Sequence, residues 1–193
     1  MQINKTILML AFFCIATTIT KAQNEKKVEE VSYNPNIKGD TIKRSIKSAA
    51  IGKIGDASIT INYHSPAVRG RTIWGGLVTY NDVWVTGAHS ATSMEIDREI
   101  VIAGTAIAPG KYAIFSIPGK KEWTIIINKN WEQHLTDDYL ETEDVVRIKV
   151  KPIQQKKLTE RLQYFIEDSN NGNGRIAIVW ELLRIEFNLR TKK

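Results

Sequence analysis

The segment LLRIEFNLR, Leu182 to Arg190, decides the fold class. Leu183, Ile185, Phe187 and Leu189 share one parity, and Arg184, Glu186 and Asn188 the other. In an extended chain successive side chains point to opposite faces, so this spacing makes one apolar face and one polar face. A helix would scatter the same residues around its axis. Upstream, RLQYFIED (Arg161–Asp168) and GRIAIVWE (Gly174–Glu181) flank the turn-rich SNNGNG and read as two further strands.

The same period recurs through most of the chain. ASITINY (Ala57–Tyr63) alternates Ile59, Ile61 and Tyr63 with Thr60 and Asn62. KYAIFSI (Lys111–Ile117) and EWTIIIN (Glu122–Asn128) flank PGKK, a Pro-Gly turn between antiparallel strands. DVVRIKV (Asp144–Val150) sets Val146, Ile148 and Val150 against Arg147 and Lys149. Eight to ten short strands without a long amphipathic helix predict an all-β fold. Its expected form is an antiparallel β-sandwich, jelly-roll or immunoglobulin-like, or a partly closed barrel.

One stretch departs from period two. In NKNWEQHLTDDYL (Asn128–Leu140), Trp131, Leu135 and Tyr139 recur at helical spacing, with Asn130 as a cap and Gln133 in the capping-box position. This predicts a short helical turn around 130–140. On such a turn His134 and Asp138 share a face, where Asp138 would orient the imidazole.

At 193 residues, with 42% hydrophobic and 25% charged residues, the chain suits one globular domain. The start is a separate matter. MQINK is cationic, TILMLAFFCIATTIT is uncharged, and small residues close the run at Ala22: the layout of a secretory signal peptide. The run is short for a membrane span, so no transmembrane anchor is expected after cleavage. Phe12 and Phe13 stand where a lipoprotein signal wants small residues, which argues against lipid on Cys14. The expected organisation is a signal peptide (1–22), a polar lead-in (23–50) and one β-sandwich domain (51–193), exported to the periplasm or beyond.

Two classes of chemistry drop out. Cys14 is the only cysteine and would leave with the leader, which removes thiol and disulfide chemistry. Loss of Lys5 and Lys21 takes the formal charge from +6 to +4, too little and too evenly spread for a nucleic-acid partner. NNGNG precedes a strand rather than a helix and offers no phosphate loop.

The three histidines are the chemically suggestive residues. His64 ends a strand in YHSPAVRG, His89 follows Gly87-Ala88 in VWVTGAHSAT, and His134 sits on the expected turn. Three imidazoles from separate loops, with a position left for water, would hold zinc or copper. Trp74, Trp84 and Trp131 lie near these motifs and would wall a pocket, while Trp123 and Trp180 fall inside strands and read as core. Arg69 and Arg71, among the glycines of RGRTIWGG, would bind an anion or stand solvated in a wide turn. Ser65 adjoins His64, but neighbours on a strand point apart, so they make no nucleophile and base. Three readings follow: a sandwich binding a metal or small ligand through His64, His89 and His134, with or without catalysis; a glycan- or envelope-binding module; and a structural envelope protein.

YHSPAVRGRTIWGGLVTYNDVWVTGAHSAT, APGKYAIFSIPGKKEWTIIINKNWEQHLTDDY and EDVVRIKVKP, in this order, resemble the bacterial domain-of-unknown-function 2911 family (DUF2911) over roughly residues 45 to 190. The resemblance implies an exported bacterial protein and supplies no reaction. Many members read YSRP for YHSP, WRTGAN for WVTGAH, and Trp-Gly for His134-Leu135, so this chain is similar to a histidine-bearing form. Val85 stands where those members carry arginine, and no role of that arginine carries over.

Overall fold

The computed structural model describes residues 44–191, all within one compact unit, Ile37–Lys193. The expected leader, Cys14 and most of the expected lead-in lie outside the described residues. Among the described residues ten strands follow one another: β1 Ile46–Ile54, β2 Ala57–Ser65, β3 Thr92–Ile96, β4 Ile100–Ile102, β5 Thr105–Ile107, β6 Gly110–Ile117, β7 Trp123–Asn128, β8 Asp144–Val150, β9 Ile153–Asp168 and β10 Asn173–Thr191. They form two antiparallel sheets, one in the order β1-β2-β3-β6-β7-β8 and one in the order β5-β4-β10-β9. The architecture is a β-sandwich, and the sheets do not close into a barrel.

The core follows the alternation. Ile59 and Ile61 of β2, Met94 and Ile96 of β3, Ile114 of β6, and Ile125 and Ile127 of β7 turn inward from the larger sheet. Ile100, Ile102, Leu162, Ile176, Ile178, Ile185, Phe187 and Leu189 meet them from the smaller one. Each such side chain contributes about 1.5–3 kcal/mol when fully buried. Trp123 and Trp180 are each 1% exposed, as expected of core residues.

β10 joins two segments that the sequence presents separately. The inward residues are Ile176, Ile178 and Trp180 in its first half, and Ile185, Phe187 and Leu189 in its second. An even-to-odd change of parity needs an irregularity, and the pairing with β9 shifts register on both sides of Glu181. Glu181 adopts a left-handed φ of 55°. Its carboxylate accepts from the Leu182 N–H at 2.6 Å and from Trp74 Nε1 at 3.3 Å.

β1 corrects the boundary of the lead-in. Residues 46 to 50, expected to be loosely held, are the first five of a nine-residue ladder with β2. Alternate β1 residues are partly covered, ending in the fully buried Ile54.

The expected helical turn around 130–140 is also corrected. The segment is a series of turns, followed by one 3₁₀ turn at Glu141–Glu143. Leu135 adopts a left-handed φ of 46°, which breaks a helix. The buried Gln133 amide donates to the Asn130 carbonyl at 2.7 Å and accepts from the Asp138 N–H at 3.2 Å, replacing bonds a helix would make with its backbone.

The larger sheet has a second apolar region on its outer face. Ala113 and Phe115 of β6 and Ile126 of β7 are buried there together with Val85 and Ala91. The segments around 83–91 and 131–139 cover them, with Trp131 and Tyr139 packed against the cluster. Phe115 and Tyr139 meet edge to face at 5.3 Å. Sandwich sheets usually show water their outer face; here two loops have turned part of it into a small core.

Candidate functional site

Beside that outer core the same sheet face becomes polar. A cavity of about 480 Å³ opens there. Asn62 and His64 of β2 and Ser93 of β3 form part of its lining, with Lys47 of β1 opposite His64 in the ladder. Ser90 and Ala91 line it from one loop, and Trp131, Glu132, Gln133 and His134 from the other. Outer-face side chains reach the cavity because His64 and Asn62 have the parity opposite to Ile59 and Ile61.

The two loops are joined by backbone hydrogen bonds. The Ala91 N–H donates to the Gln133 carbonyl at 3.0 Å, and the Leu135 N–H to the His89 carbonyl at 2.6 Å. Ser90 and His134 form an antiparallel bridge. The histidine loops therefore have a fixed register relative to each other.

The loop Val83–Thr92 is anchored from inside the sandwich. Thr86 is fully buried and has a φ of 51°, uncommon for a β-branched residue. Its hydroxyl meets the Ser116 hydroxyl at 2.9 Å and the Trp84 carbonyl at 3.1 Å. Its carbonyl accepts from the Thr92 hydroxyl at 3.1 Å and the Tyr164 hydroxyl at 2.8 Å. Gly87 is packed so closely that a Cβ would stand 2.7 Å from Thr92 Oγ1 and 3.2 Å from the His64 carbonyl. Beyond it His89 takes a left-handed φ of 62°.

The rings of His64 and His89 meet edge to face, with centres 5.1 Å apart and planes at 79°. Burial lowers the His64 pKa from its ordinary value, and His89 and Lys47 lower it further by repelling its charged form. The ring favours its neutral state. His134 also lines the cavity, and its Nδ1 pairs with Asp137 Oδ2 at 2.9 Å. The carboxylate on His134 thus belongs to Asp137. Asp138, expected in that role, donates its N–H to Gln133 and accepts at its carbonyl from Asn130 Nδ2. The turn that replaced the helix puts the residue three positions on, not four, beside the imidazole.

Other expected pocket residues are employed elsewhere. Arg71 donates to the Ala67 carbonyl at 2.6 Å and the Val68 carbonyl at 3.2 Å, so it pins its own turn. Trp74 and Trp84 join Trp123 and Trp180 in a cluster of four indoles with centres 4.9 to 6.3 Å apart. Only Trp131 of the three expected tryptophans lines the cavity, and the Lys111 ammonium lies 3.7 Å from its ring centre. Residues not foreseen at the site include Lys47, Asn62 and Ser93. Their signal was available in principle: Asn62 shares the parity of His64 on its strand, but the partners of β2 were not.

Among the described residues no three His, Cys, Asp or Glu side chains stand together as a ready metal-binding group. His64 and His89 form a pair, and the His134 ring is turned towards Asp137.

No curated protein and no solved structure shows a significant match to the chain. The family model described as protein of unknown function (DUF2911) matches residues 43–189, which include all ten strands except the last two residues of β10. The chain therefore belongs to the DUF2911 family.

Proposed function

We propose that this protein is an exported binding protein whose outer-face cavity takes a small hydroxylated ligand of sugar size. One observation carries the reading: the sheet face that is apolar at Ala113, Phe115 and Ile126 is lined at the cavity by Asn62, His64 and Ser93. An outer sheet face is ordinarily open to water, whereas here the two loops wall this polar stretch into a cavity. About 480 Å³ is within the usual range for small-molecule sites. Asn62 and Ser93 supply both donors and acceptors, Lys47 a cation, Glu132 an acceptor and Trp131 an aromatic surface. The cationic start, apolar run and small residue at Ala22 support export.

Saturation-transfer NMR with a panel of neutral mono- and disaccharides tests the reading. Binding should appear for at least one sugar and be lost in Asn62→Ala and Trp131→Ala. A folded protein that receives no transfer from any member at millimolar concentration would leave the cavity as a structural cleft.

A further inference from the structure

We infer that Ser90, His134 and Asp137 form a catalytic triad that cleaves a small ester at the cavity. The choice of substrate rests on the sugar-sized ligand proposed above; the triad does not. Ser90 and His134 face one another across the antiparallel bridge between the two loops. The hydrogen bonds of that bridge belong to the residues on either side, Ala91 with Gln133 and Leu135 with His89. Ser90 and His134 are therefore a non-hydrogen-bonded pair, the closer kind. Such partners project from the same side of the ladder with Cβ atoms about 4.5–5.5 Å apart. Both line the cavity. At that spacing rotation about χ1 brings a serine hydroxyl within reach of the imidazole, and catalytic hydrogen bonds of this kind often tighten only with substrate bound.

His134 is oriented as a base by its neighbour. Its Nδ1 lies 2.9 Å from Asp137 Oδ2. The carboxylate accepts the Nδ1 proton, which leaves the basic lone pair on Nε2 and steadies the imidazolium that forms during reaction. Ser90 Oγ bonds to the ester carbonyl carbon while His134 Nε2 takes its proton. The bond from that carbon to the alcohol oxygen then breaks, and Nε2 returns the proton to the departing alcohol. Water, deprotonated by the same nitrogen, releases the acyl group as a carboxylic acid and restores the Ser90 hydroxyl. His134 and Asp137 are 65% and 62% exposed, so water reaches them for this second step. On the sheet wall of the cavity the Asn62 amide and the Lys47 ammonium supply donors for the oxyanion. An O-acetylated sugar combines a small ester with the hydroxyl groups that this lining suits.

The test is incubation of the folded protein with an alkyl fluorophosphonate, followed by peptide mass spectrometry. One phosphonyl group per chain should appear on Ser90, and none on Ser90→Ala or His134→Ala. Asp137→Asn should lower the limiting labelling rate roughly 100-fold or more and leave the half-saturating probe concentration unchanged. A merely structural role would move both. Acetate release from O-acetylated monosaccharides should depend on the same three residues. Absence of an adduct on Ser90 of the parent protein overturns the triad, whether or not the variants fold. Full labelling of His134→Ala at Ser90 overturns it as well. Labelling of Ser90 without acetate release from any sugar ester supports the triad and overturns the substrate, which separates its failure from that of the sugar-sized ligand.

Discussion

The His89 carbonyl accepts the Leu135 N–H at 2.6 Å, and both residues have a left-handed φ, 62° and 46°. Two kinked loops, 46 positions apart in sequence, are thereby held in register over the outer face of one sheet. Each kink turns a backbone group towards the other loop. The site exists because the loops stabilise each other.

The anchor of the first loop is open to mutation. Thr86→Val keeps the shape and removes the hydroxyl, leaving the buried Ser116 hydroxyl without that partner. The expected loss is about 1–3 kcal/mol of stability. Urea unfolding followed by tryptophan fluorescence measures it. An unchanged midpoint would mean that the network is not what holds the loop.

Gly87→Ala addresses the close approach to β2. The new methyl would stand 2.7 Å from Thr92 Oγ1, inside van der Waals contact, so the loop must shift. A cost of about 1–3 kcal/mol is expected. The ring contact between His64 and His89 should loosen as well. Chemical shifts of the imidazole protons would report that movement, and identical shifts would contradict it.

Deleting residues 1–55 removes β1, with its nine-residue ladder and the fully buried Ile54. That variant should melt far lower than one cut at residue 43, or fail to fold. Equal melting temperatures by calorimetry would show that β1 contributes little to the sandwich.

Acid should expose an ion-pair network on the smaller sheet. Arg175, with Arg184, holds the Glu167 carboxyl below its ordinary pKa, through contacts of 2.6 and 2.8 Å. The unfolded chain therefore takes up this proton at higher pH than the folded one. The contribution is present above the ordinary glutamate value, near 4.5, and is lost as pH falls through the lower folded value. Glu167 is part-exposed, so the effect is modest. Glu167→Gln should flatten the acid side of a stability-against-pH curve, and a curve of unchanged slope would refute the linkage.

The proposed export has a direct readout. Mass spectrometry of protein secreted by the native leader should find a chain beginning at Gln23. An intact leader, or lipid on Cys14, would contradict the reading of residues 1–22.

What the sequence determined by itself was local. Period-two alternation in β2, β6, β7, β8 and β10 gave the strands and their inward residues, because burial on one face is written into every second position. The parity change within β10 was present in the sequence too, between Trp180 and Ile185, but it reads equally as two strands until β9 is seen pairing with both halves. The three isolated histidines were likewise legible.

Tertiary structure decided everything that depends on which segments meet. The helical spacing of Trp131, Leu135 and Tyr139 was real, yet hydrogen bonds from Ala91 and Leu135 across the two loops, together with the Gln133 amide, outweighed a helix too short to be stable alone. That exchange put Asp137 rather than Asp138 on His134. Trp74 and Trp84 left the expected pocket because two buried indoles already offered them apolar surface. Lys47, Asn62 and Ser93 entered it through the pairing of β1, β2 and β3, a register set by long-range contacts that no single stretch of sequence records.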